Sequence, residues 1–77
     1  MLYNETMPRK IRDIIADLRN NGFLHEKGRG KGSHRVFTDP KTGIQAVIPG
    51  KDGDDAKSYL EKQVKAKIDE ARAKRGA

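Results

Sequence analysis

The chain has no cysteine and no tryptophan, only four aromatic residues and only two histidines among its 77 positions. Without cysteine there is no disulfide and no thiolate metal site, and the absence fits a reducing compartment such as the cytoplasm. No apolar stretch approaches the ~20 residues of a membrane span, and the first residues lack the apolar centre of a secretion signal, so no membrane association is expected. Hydrophobic residues make up 34% of the chain, little for a globular protein, which leaves room for a partner to cover part of its surface.

What is plentiful is positive charge. Seventeen Lys and Arg stand against eleven Asp and Glu, a net charge of +6 with an isoelectric point near 9.8, and this favours a polyanionic partner, nucleic acid first. At this length the chain makes one small domain, 1–77, with residues 1–7 read as a frayed leader and 73–77 as a frayed tail.

Pro8 suits a first helical position, and Ile11, Ile14, Ile15 and Leu18 follow at one-faced helical spacing until Asn21-Gly22 stops the helix. Phe23 and Leu24 open a short first strand. A second strand holds Val36, Phe37 and Thr38, but Val36 shares a phase with His34 and Phe37 with Arg35, so its inward face is left open. Asp39-Pro40-Lys41-Thr42-Gly43 is a turn in which Asp bonds the backbone ahead, Pro presets φ and Gly accepts positive φ. Ile44, Ala46 and Ile48 alternate through a third strand that Pro49-Gly50 ends. Asp52, Asp54 and Asp55 are expected to cap a final helix whose apolar stripe is Ala56, Leu60, Val64, Ile68 and Ala71. The order α-β-β-β-α predicts a two-layer α+β domain: a three-stranded antiparallel sheet with both helices on one face.

Residues 28–38, Gly-Arg-Gly-Lys-Gly-Ser-His-Arg-Val-Phe-Thr, carry the unusual chemistry. Gly28, Gly30 and Gly32 each cost backbone entropy and contribute no core, so the segment suits a loop whose bare N–H groups approach a phosphate. Arg29, Lys31 and Arg35 supply charge, Ser33 a hydroxyl, and His34 a titratable ring nitrogen. A nucleotide-triphosphate or dinucleotide loop is excluded by context, because such loops follow a strand and open a helix, whereas this one leads into a strand. Ser33 and His34 are adjacent and would point to opposite faces of a strand, which rules out a hydrolytic triad. His25 and His34 lack metal-ligand spacing, so neither a metal nor another cofactor is expected.

Two functions fit a basic domain of this order. One is a non-catalytic module of the double-stranded-RNA-binding type; such modules grip phosphates with lysines at the start of the last helix, where this chain has Asp52-Gly53-Asp54-Asp55. The other rests on a resemblance. A helix ending in Gly22-Phe23, then Gly30-Lys31-Gly32-Ser33-His34-Arg35-Val36-Phe37, a strand ending in Val47-Ile48-Pro49 and a closing helix together resemble the HicA family of mRNA interferases over about residues 8–70. The resemblance implies a double-stranded-RNA-binding-like fold and a toxin that cuts mRNA, paired with a HicB-like antitoxin. It also implies His34 as the catalytic histidine. Arg29, Gly30, Lys31, Gly32, Ser33 and Arg35 are the candidate RNA-binding residues, with His25 and Lys27 as secondary candidates. Many relatives place a histidine shortly after the third-strand proline, where this chain has Gly50-Lys51-Asp52.

Overall fold

The apolar spacing from Ile11 to Leu18 forms helix α1, Ile11–Asn20, with Ile11, Ile14, Ile15 and Leu18 buried. The computed structural model describes residues 9–28, 32 and 34–76; the leader 1–7 and Pro8 lie outside them. After α1 come β1 (Leu24–His25), β2 (Arg35–Thr38), β3 (Gln45–Ile48) and α2 (Ser58–Gly76). The strands form one antiparallel sheet in the order β1-β2-β3. Phe37 and Ala46, partners in register, join Ile48 and the buried residues of both helices in a single cluster, so the two helices cover the same sheet face. The α-β-β-β-α arrangement expected from the sequence is the one observed.

Gly22 closes α1 as its conformational freedom suggests. At φ +91° it donates to the Arg19 carbonyl, while Phe23 N donates to Leu18 O at 3.0 Å, the two-bond closure typical of a left-handed helix end. Phe23 and Leu18 are both fully buried at that closure. The turn after β2 is also as expected: Gly43 at φ +78° donates to Asp39 O at 2.7 Å, and the Asp39 carboxylate accepts the Thr42 hydroxyl and the Lys41 amide.

Two sequence expectations are corrected. The first helix starts at Ile11, not at Pro8, because Lys10 is extended (φ −95°, ψ 162°) and pairs with Asp55 in an isolated antiparallel bridge. The acidic segment does not cap the final helix, which starts later, at Ser58. It serves α1 instead: Ile11 N donates to Asp54 O at 2.8 Å and Arg12 N to Asp52 O at 3.1 Å, so two of the four orphan N–H groups of that helix end find partners some 40 residues ahead. Helix α2 takes in most of the 73–77 tail. It continues through Gly76, and Arg75 near its end donates to Asn21 O at 2.9 Å and lies 3.3 Å from Asp39.

Candidate nucleic-acid interface

β1 and β2 are neighbouring antiparallel strands, so the segment that joins them starts and finishes at the same end of the sheet. Gly28 and Gly32 hold positive φ, +85° and +59°, and a Cβ at either would meet no atom within 4 Å. These glycines are needed for backbone direction and not for close packing. Lys27 beside them is exposed. Arg29, Gly30, Lys31 and Ser33 lie outside the described residues, so of the expected phosphate cradle Gly32 and Arg35 are placed.

His34 stands immediately before β2 and is exposed. Both Val36 and Phe37 are buried, which is why alternation in the sequence did not orient this strand. The register settles it: Phe37, opposite Ala46, is in the helix-covered cluster, whereas Val36, opposite Val47, is not. His34 therefore shares the phase of the strand face turned away from the helices.

Arg35 is half-buried and already engaged. One guanidinium nitrogen donates to Asp52 Oδ1 at 2.7 Å and the other to Gly50 O at 3.3 Å. These bonds fasten the beginning of β2 to the segment that follows β3, as the pairing of Arg35 with Ile48 requires. Just beyond that pair, Gly32 and the segment Gly50 to Asp52 lie around Arg35. The result is an open groove of about 550 Å³ lined by Gly32, Arg35, Gly50, Lys51 and Asp52.

His25 is not brought to this groove. It pairs with Phe37 in the sheet, and its ring stacks on the Phe37 ring at 5.1 Å between centroids and 27° between planes. Phe37 lies three residues from His34, roughly 10 Å along an extended strand. Arg19 covers the same Phe37 ring, 5.7 Å from its centroid.

Lys51 and Asp52 were missed as site residues by reading the sequence. Their signal was indirect: they follow the proline that ends β3, and only the strand register shows that this point faces the glycine segment. Among the described residues, no group of three His, Cys, Asp or Glu side chains could hold a metal ion. No described helix is long and apolar enough to cross a membrane.

Comparison with known proteins adds one finding. Residues 11–71 match the family described as the HicA toxin of bacterial toxin-antitoxin systems. No curated protein and no solved structure gives a significant match.

Proposed function

The chain belongs to the HicA toxin family, the toxin half of a bacterial toxin-antitoxin pair, and we propose that it acts as a metal-independent endoribonuclease on mRNA with His34 as its single catalytic histidine. The observation that carries this reading is the placement of His34: exposed, immediately ahead of β2 and next in sequence to Arg35, which lines the groove together with Gly32, although His34 itself does not line it. A ring there reaches a polymer lying across the end of the sheet. The surplus of six positive charges draws such a polymer in.

The chemistry follows from one base and a cationic cradle. His34 takes the proton of a ribose 2′-OH as that oxygen attacks the adjacent phosphorus. The bond from phosphorus to the 5′-oxygen breaks, water protonates the departing oxygen, and the upstream fragment ends in a 2′,3′-cyclic phosphate. Backbone N–H groups of the glycine segment, with Arg29, Lys31 and Arg35, stabilise the charge that builds on the phosphorane. A positioned base contributes on the order of 10² to 10⁴ in rate. One histidine without a partner acid gives slow turnover, which suffices for a toxin that needs only to damage a limited pool of messages.

A toxin of this kind is neutralised by its antitoxin. We assign that role to a HicB-like protein with an acidic face, complementary to the basic groove, and the action on mRNA places the toxin in the cytoplasm.

The test is the end group. Purified protein in excess chelator should shorten single-stranded mRNA and leave 2′,3′-cyclic phosphate ends detectable by mass spectrometry. Cleavage that requires added divalent metal, or that leaves 5′-phosphates, contradicts the mechanism. Tight binding of duplex RNA with no cleavage of any RNA would favour the binding-module reading, against which stand the exposed Asp54 and Asp55 ahead of α2.

A further inference from the structure

We propose that Asp52 occupies, in the free protein, the place of an RNA phosphate on Arg35, and that RNA binding exchanges the Asp52 carboxylate for a backbone phosphate held jointly by Arg35 and Lys51. The inference rests on the nuclease reading above and adds the regulation and composition of its phosphate subsite.

Three observations and one chemical equivalence converge. The Arg35 guanidinium presents its fork to the groove but meets a carboxylate oxygen there, Asp52 Oδ1 at 2.7 Å. A phosphate oxygen can accept from the same guanidinium nitrogen that this carboxylate oxygen now takes, so one anion replaces the other without moving the arginine. The Asp52 side chain is 63% exposed, and an ion pair so open to water is weak and easily displaced. Arg35 also has a second bond that does not involve Asp52, to Gly50 O at 3.3 Å.

The backbone is arranged so that only a side chain has to move. Asp52 O accepts the Arg12 amide at the start of α1, and Lys51 is braced on both sides of its peptide: its N–H donates to Asp54 Oδ2 at 2.9 Å and its carbonyl accepts Asp54 N at 3.0 Å. Asp54 is thereby committed to the turn, and Asp55 to Lys10. The Lys51 side chain is exposed and has no ion-pair partner among the described residues. Once Arg35 and Asp52 cancel, Lys51 is the charge the groove retains. A phosphate entering beside Lys51 displaces Asp52 toward solvent and gains both cations. Asp52 therefore acts as a built-in competitor that lowers affinity for single anions, while a polymer that contributes several phosphates overcomes it.

The experiment measures binding apart from cleavage, with a 12-nucleotide single strand methylated at every 2′-oxygen and followed by fluorescence anisotropy across a salt series. Asp52→Asn keeps the backbone carbonyl that Arg12 uses and should tighten binding by roughly threefold to tenfold. Asp55→Asn removes an equal charge nearby and should change it less than about twofold. The gain from Asp52→Asn should disappear in an Arg35→Gln background, the coupling expected if the two act through each other. Arg35→Met, which keeps an apolar stem and loses the charge, serves the same purpose should Arg35→Gln melt at the assay temperature. Lys51→Gln should weaken binding and lower the slope of log affinity against log salt by about one. An Asp52→Asn affinity within twofold of wild type, or a gain that survives loss of Arg35, overturns the exchange; an unchanged slope in Lys51→Gln removes Lys51 from the subsite. If wild-type protein cleaves RNA while these variants behave otherwise than stated, only the exchange falls. If wild-type protein neither binds nor cleaves RNA, the nuclease reading falls with it.

Discussion

Arg75 Nε lies 3.3 Å from Asp39 Oδ2, so the last turns of the closing helix are fastened to the turn between β2 and β3. Asp39 is the one buried charged residue among those described, and its carboxylate is fully used: Thr42 and Lys41 donate to it from within the turn and Arg75 faces it from the helix. Burial pushes its carboxyl up. The Thr42 hydroxyl, the Lys41 amide and the charges of Arg75 and Lys41 outweigh that and hold it below its ordinary value.

A carboxyl depressed on folding stabilises the native state above its unfolded pKa, and that contribution is lost as pH falls through the folded one. Asp39→Asn should therefore lower Tm at pH 7, and the gap to wild type should narrow below about pH 4. Thermal melts followed by circular dichroism from pH 7 to pH 3 measure it. A gap that stays constant over this range contradicts the assignment.

Gly50 tests the junction behind the groove. Its φ of +85° is strained for any side chain, and a Cβ there would come within 3.1 Å of Asp54 Oδ2 and 3.7 Å of Ile11 Cγ1. Gly50→Ala should cost about 1–2 kcal/mol from the left-handed backbone alone, lowering Tm by about 4 °C or more in a domain of this size. Gly53→Ala, with no positive φ and no atom within 4 Å of the new Cβ, should be close to neutral. Equal melting of the two variants would refute the placement of Gly50.

His25 serves the core edge. Replacing it with leucine removes the stack on Phe37, at a cost of about 0.5–1.5 kcal/mol, and should leave cleavage within about threefold of wild type at temperatures where both are folded. A hundredfold loss of cleavage with an unchanged melt would instead make His25 the missing proton donor.

The parts legible in the sequence are those governed by local pattern. Ile11, Ile14, Ile15 and Leu18 declare a helix face, Gly22 declares its end, and Asp39 to Gly43 declare a turn, because spacing, backbone freedom and side-chain bonding act within a few residues. The alternation of Ile44, Ala46 and Ile48 and the stripe through Leu60, Val64 and Ile68 fix which faces meet. The β2 phase was not legible, since Val36 and Phe37 are both buried and only pairing with Val47 and Ala46 separates them. Nor was the destination of Asp52 and Asp54. Their carbonyls cap a helix that precedes them by some 40 residues, and no local propensity encodes such a bond. The groove was hidden for the same reason, its two walls being joined by strand register and by the bonds of Arg35 to Asp52 and Gly50.

The central claim is that one exposed imidazole does the proton transfer, and His34→Ala tests it most directly. The purified variant and wild type are compared for Tm and for the rate of cleavage of one single-stranded mRNA. Because His34 is exposed and outside the core cluster, the melt should be unchanged, while cleavage should fall by roughly 10² or more. Cleavage by His34→Ala at the wild-type rate, with the fold intact, would contradict the account.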